Sequence, residues 1–107
     1  NARYLVSDVE LTEFVDEDDV AASSITPLVT AQVLDRVPLD HQITPSVRLV
    51  PTTGHTPGHV SVAIRSDDAE ALITGDATHS PIQFAYPAIA ASRVDHDSVA
   101  STATRHA

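Results

Sequence analysis

Apolar and polar positions fall in short blocks along the chain, and the period of each block predicts an element. Tyr4-Leu5-Val6, flanked by Arg3 and Ser7, is rich in strand formers and predicts a short strand. From Asp8 to Phe14 the acids Asp8, Glu10 and Glu13 interleave with Val9, Leu11 and Phe14, a pattern of one or two helical turns. Thr26-Pro27 reads as an N-cap followed by proline at the first helical position. Leu28, Ala31 and Leu34, with Val29 and Val33 more loosely, then keep helical spacing until Val37-Pro38 stops it. After a polar stretch around His41, Val47 to Val50 predicts a strand. Val60, Val62 and Ile64 alternate with Ser61, Ala63 and Arg65, the period of a strand with one buried face. Ser66-Asp67-Asp68 turns the chain, and Ala69 to Thr74 predicts the partner strand of a hairpin. Residues 80–92, with Pro81 and Pro87, read as irregular, and Asp95 or Asp97 is a candidate cap for a last helix through Arg105.

At 107 residues and 42% hydrophobic content this is one small globular domain or a piece of a larger one. The net charge is −9 and every basic residue is an arginine. Without lysine, a Schiff base and a Walker-type phosphate loop are excluded. Without a basic face, nucleic acid and anionic membranes are not expected partners. No apolar run approaches the roughly 20 residues that span a bilayer. Cysteine is absent, so any metal must be held by His, Asp, Glu or water. That absence, with no visible secretory signal, makes the cytoplasm the expected compartment. The chain opens on Asn1 and a strand-like run, which suggests an internal stretch of a longer protein. The run Asp16-Glu17-Asp18-Asp19 lacks the mid-loop glycine and final glutamate of an EF-hand, since Ala21 and Pro27 stand there. It reads as a solvated helix end or loop.

The three glycines carry the chemistry. Gly54 and Gly58 bracket Gly-His-Thr-Pro-Gly-His (Gly54–His59) between two predicted strands, and Gly75 precedes Asp76 at the end of the next strand. Glycine is best used where the backbone must approach closely or take a positive φ, and strand-end loops are where α/β proteins build sites. An imidazole and a carboxylate suit Zn²⁺, Mn²⁺ or Fe²⁺. The alternative is that His55 and His59 only hydrogen-bond within a turn and that Asp76 is a cap. No Gly-x-Ser-x-Gly elbow is present, and 15 acids offer too many pairs for a glycosidase assignment by spacing.

The stretch Thr52-Thr53-Gly54-His55-Thr56-Pro57-Gly58-His59, followed by Leu72-Ile73-Thr74-Gly75-Asp76, resembles the metallo-β-lactamase superfamily, and within it the acyl-homoserine lactonase-like metallohydrolases. Asn1 to Val6 and Val47-Arg48-Leu49-Val50-Pro51 also read like that branch. The resemblance covers nearly the whole chain but only a middle portion of the family's domain. It implies an α/β fold, part of an α/β/β/α sandwich lacking its N-terminal and C-terminal portions, with residues 1–107 a partial domain. It implies that His55 is a terminal ligand to one metal, that Asp76 bridges two, and that His59 is structural. Zinc is the implied cofactor, two per complete site, with other divalent metals able to substitute. Thr53 stands where the pattern usually has proline. His79 stands where the lactonases carry a tyrosine facing the substrate, which implies a catalytic hydrogen-bond donor or acid. An exposed polar loop residue is the equal alternative there, and His41 and His96 read as surface residues.

The family's first motif, His-x-His-x-Asp-His, is absent. Asp95-His96-Asp97 has one histidine in the wrong place and does not replace it, and His106 lies within the last predicted helix. The resemblance therefore implies a fragment of a metal-dependent hydrolase that cleaves a lactone, ester or amide through a metal-bound hydroxide, inactive alone for want of ligands. Small-molecule esters or lactones are the substrates it implies for the complete protein. Sheet faces bearing Val60, Val62, Ile64 and Leu72 would be uncovered and favour self-association. Two other readings stay open: a non-catalytic acidic interaction module that keeps a metallohydrolase loop, and a truncated product without function. An upstream His-x-His-x-Asp-His in the same reading frame would decide the assignment.

Overall fold

A computed structural model describes residues 2–14, 21–89 and 91–107. The acidic run of residues 16–19 lies outside them. In chain order the elements are β1 (Tyr4–Ser7), α1 (Asp8–Phe14), a π-helical turn (Ala21–Ile25), α2 (Thr26–Thr30), β2 (Leu34–Val37), β3 (Gln42–Thr44), β4 (Val47–Pro51), β5 (Val60–Ser66) and β6 (Ala69–Ile73). Two 3₁₀ turns (Gly75–Ala77 and Pro81–Phe84), α3 (Ala91–Val94) and α4 (Ser98–His106) follow. Strands β1 and β2 pair in parallel, and β3-β4-β5-β6 form an antiparallel sheet in that order. The whole is a slab of 42 × 38 × 18 Å.

The helix expected to reach Val37 ends at Thr30 instead, and Leu34–Val37 is a strand. Gln32 adopts φ 56°, and bonds from Val33 N to Leu28 O (3.1 Å) and from Gln32 N to Val29 O (3.0 Å) close the helix in a Schellman turn. Pairing of Leu34–Val37 with Tyr4–Ser7 then outweighs the helical spacing. The pair is braced by Arg3, which donates to both oxygens of Asp35, and by Arg36 Nε to Asp8 Oδ1 at 2.8 Å. Nor does Thr26 cap α2: Ile25 holds that position and no side chain satisfies it. Strand β3, unmarked in the sequence, turns back through Pro45-Ser46 onto β4.

The hairpin forms as expected, with Asp67 at φ 50° in its turn. Its buried face is the other one, however. Ser61 and Ala63 are 1% and 7% exposed, whereas Val60, Val62 and Ile64 are only half-buried. Register pairs Ala63 with Leu72 and Val62 with Ile73, so Leu72 shares the Ser61 face and not the valine face. Ser61 tolerates burial because its hydroxyl pairs with Thr52 Oγ1 (2.9 Å) and donates to Thr74 O (3.2 Å), tying together the ends of β4 and β6. Among the described residues Val37, Leu49, Ala63 and Ala77 form the fully buried apolar core. Asp97, not Asp95, caps the last helix, accepting from Val99 N (2.9 Å) and Ala100 N (3.0 Å).

Candidate metal centre

Residues 52–59 leave β4 and return into β5, and two helices hold this loop from opposite sides. Ser7, at the end of β1, accepts from Glu10 N (3.1 Å) as the N-cap of α1 and donates to Gly58 O (2.8 Å). Glu10, three residues into the capping pattern, uses its carboxylate to accept from Gly58 N at 2.9 Å. A Cβ at Gly58 would stand 2.2 Å from Glu10 N, so only glycine fits against the helix start. On the other side α4 and its approach bond the loop through Asp97 N to Gly54 O (2.9 Å), His96 N to His55 O (3.0 Å) and Thr104 Oγ1 to Thr53 O (2.7 Å). Gly54 takes φ 130°, and a Cβ there would meet Ser101 N at 2.2 Å.

Held in this way, His55 lies between two carboxylates. Its Nε2 is 3.7 Å from Asp76 Oδ2, and its Nδ1 is 3.3 Å from Asp95 Oδ1. Asp76 opens to solvent from the 3₁₀ turn that follows β6, with its side chain 68% exposed. His79 lies in the next loop, exposed, with its ring 4.8 Å from that of His55. His55, His79 and Asp95 each bring one ligand atom within 4.8 Å of the others, a group with the composition of a metal site. Two ligands of one tetrahedral zinc, at bonds of about 2.0–2.2 Å, stand roughly 3.4 Å apart, so the His55–Asp76 separation suits one cation.

The remaining histidines divide clearly. His59 is half-buried, and its Nδ1 faces Thr52 Oγ1 (2.9 Å) and Thr52 O (3.1 Å). Burial pushes its pKa below the usual histidine value, helped by the nearby His55, against the Thr52 carbonyl and the charges of Asp76 and Glu10. His96 is largely exposed, 4.0 Å from Glu13. His41 lies by β3, and His106 is exposed at the end of α4.

The sequence offers Asp95 only as a helix cap or an imitation of the missing motif and gives Ser101 and Arg105 no role, yet the three organise the site. The Asp95 side chain is closed to solvent, and its Oδ2 accepts from Arg105 Nη2 (2.8 Å) and Ser101 Oγ (2.7 Å). Burial works to raise its pKa, but the bonds from Ser101 and Arg105, the Arg105 charge and the bond to His55 together hold it below the usual carboxylate value. Arg105 also donates to Ala77 O (2.6 Å) and Pro87 O (3.1 Å). One guanidinium thus fixes Asp95 beside His55 and the turn that carries Asp76. The visible signal was an arginine that follows a run of Ser, Val, Ala and Thr only (residues 98–104) on this helix, small side chains that let a planar guanidinium pack closely against its neighbours.

A family model described as the metallo-beta-lactamase superfamily matches residues 2–105. No curated protein matches in sequence. Among solved structures, an N-acyl homoserine lactone hydrolase with the product N-hexanoyl-L-homoserine bound at its catalytic metal center superposes with TM-score 0.74 at 21% identity, over 99% of this chain and 40% of that one. A hydrolase of the beta-lactamase superfamily gives 0.78 at 26% identity, over 98% and 42%. A probable metal-dependent hydrolase from Staphylococcus aureus gives 0.75 at 18% identity, over 99% and 39%. The chain spans about 40% of the length of these structures. The α/β architecture is therefore a part of that fold. No helix among the described residues is long and apolar enough to cross a membrane.

Proposed function

This chain belongs to the metallo-beta-lactamase superfamily, and from that premise we propose that it is a partial domain of a metal-dependent hydrolase acting on a lactone, ester or amide. The observation that carries the reading is the approach of His55 Nε2 and Asp76 Oδ2 to 3.7 Å, from loops on either side of a hairpin. His55 would hold one cation and Asp76 would bridge two, with zinc the preferred metal. Divalent cations bound there supply a polarised carbonyl and water of lowered pKa at neutral pH. His55 contributes a neutral imidazole from a loop that two helices immobilise. Asp76 contributes a carboxylate with both oxygens on an exposed turn. His79, exposed beside them, donates a hydrogen bond to the substrate carbonyl or a proton to the departing alkoxide oxygen. The lactone hydrolase among the similar structures supports a cyclic ester as the first substrate to try.

Two protein ligands fall short of the three that catalytic zinc normally has, so the 107 residues alone should turn over no lactone. The test pairs two measurements on this chain. Zinc should raise its melting temperature, and His55→Ala or Asp76→Ala should abolish that rise. An N-acyl homoserine lactone offered to the zinc-loaded chain should remain intact; turnover would contradict the inactivity. Equal zinc responses in all three proteins would favour the second reading, an acidic interaction module with an inherited loop. The exposed Leu72 and Ile73 on β6, the edge strand of its sheet among the described residues, also support self-association, which sedimentation against concentration would detect.

A further inference from the structure

We propose that Asp95 is the positioning residue of this centre: its buried carboxylate accepts the Nδ1 hydrogen of His55 and thereby leaves the Nε2 lone pair facing Asp76. This rests on the reading of His55 as a metal ligand and adds the device that orients it. The argument is one of donors and acceptors. Asp95 Oδ2 already accepts from Arg105 Nη2 at 2.8 Å and from Ser101 Oγ at 2.7 Å, the pattern of an ionised carboxylate. Its other oxygen, Oδ1, is 3.3 Å from His55 Nδ1, and an ionised carboxylate can only accept. The hydrogen of a neutral His55 must therefore sit on Nδ1. Nε2 then carries the lone pair, on the side of the ring where Asp76 Oδ2 lies 3.7 Å away.

Asp95 is also one of the three residues whose ligand atoms cluster within 4.8 Å. Its surroundings favour the orienting part over direct ligation. Arg105 and Ser101 occupy one oxygen, and the side chains of Asp95 and Arg105 are 0% and 2% exposed, so ligation by Asp95 would bring a cation next to a buried guanidinium. Orienting partners of this kind fix the tautomer of a ligating histidine and raise its basicity. The same Arg105 reaches Ala77 O at 2.6 Å, so the carboxylate that aims His55 is braced against the turn bearing Asp76.

The decisive readout is the tautomer of His55 in the metal-free protein at mildly alkaline pH, from two-bond proton–nitrogen correlation spectra of the imidazoles. The expected result is the Nδ1–H form, with Asp95→Asn shifting the population toward Nε2–H. Asp95→Asn should also weaken zinc binding by roughly 10- to 100-fold, the usual cost of losing an orienting partner. Ser101→Ala removes only a partner of Oδ2, so it should leave the tautomer unchanged while lowering stability; a purely structural Asp95 would make the two variants behave alike. An Nε2–H tautomer in the unsubstituted protein overturns the proposal even if Asp95→Asn fails to fold. So does an Asp95→Asn protein with unchanged tautomer and zinc affinity. Failure of the unsubstituted chain to bind zinc, with the Nδ1–H form intact, would instead overturn the metal reading.

Discussion

Strand β6 and the loop of residues 52–59 reverse the roles that strands and loops usually take. Every residue of β6 is exposed, and among the described residues its backbone pairs only with β5. The loop has no regular structure, yet its backbone is bonded by Ser7 and Glu10 on one side and by His96, Asp97 and Thr104 on the other. It bears a cost as well, since Thr56 Oγ1 is the one buried side-chain oxygen without a partner among the described residues. The comparison teaches where order is concentrated. Polar contacts converge on the segment that must aim a side chain, while a strand at the sheet edge is left with half its apolar surface in water.

The largest expected effect is at the Asp95–Arg105 pair. Asp95→Asn leaves Arg105 buried without its counter-charge, which should destabilise the chain by about 3–5 kcal/mol in urea unfolding. Gly54→Ala comes next. Its Cβ meets the backbone of Ser101 at 2.2 Å and the position has φ 130°, so a loss of about 3 kcal/mol is expected. Ser7→Ala removes the cap of α1 and a donor to the loop together, for about 1–2 kcal/mol. Ile73→Thr on β6, by contrast, should change unfolding free energy by no more than about 0.5 kcal/mol, because the side chain is already 59% exposed. If Ile73→Thr cost as much as Ser7→Ala, the contrast between the two regions would be wrong.

Acid sharpens the same contrast, because His59 and Asp95 belong to the loop and its clamp, while Asp35, held low by its hydrogen bond from Arg3, is a partly exposed group outside both. His59 has a depressed pKa, so the unfolded chain takes up its proton first. The stability it confers is complete above the usual value of 6.5 and declines as pH falls below it. Asp95 is likewise depressed, so its contribution is present above 3.8 and is lost as pH falls through its lower folded value. Stability of the metal-free chain should therefore fall in two stages on acidification, and His59→Gln should remove the upper one.

How legible all this was depended on whether a feature is local. The hairpin of β5 and β6 could be read because alternation and an Asp-Asp turn lie within one short window. The Gly-His-Thr-Pro-Gly-His and Gly-Asp segments could be read as loops, since Gly54 and Gly58 mark close approaches that no side chain permits and Gly75 takes a φ of 53°. Strand β2 was misread as helix because its partner, β1, is distant in the chain and Gln32 takes the place of the glycine that usually announces a helix end. The buried face of β5 was misassigned because hydropathy favours valines, whereas Ser61 is buried by a hydrogen-bond network invisible to any window. Asp95 was weighed as a cap and as part of an imitation ligand motif. Its pairing with Arg105 and His55 exists only after α4 has folded across the loop.

The account stands or falls on His55 and Asp76 gripping one cation. Adding zinc stepwise while following the nitrogen signals of every imidazole tests this directly. His55 Nε2 should move first, with His59 unperturbed, and Asp76→Ala should suppress the shift. A zinc response led by His59, or one at His55 that ignores Asp76→Ala, would contradict it.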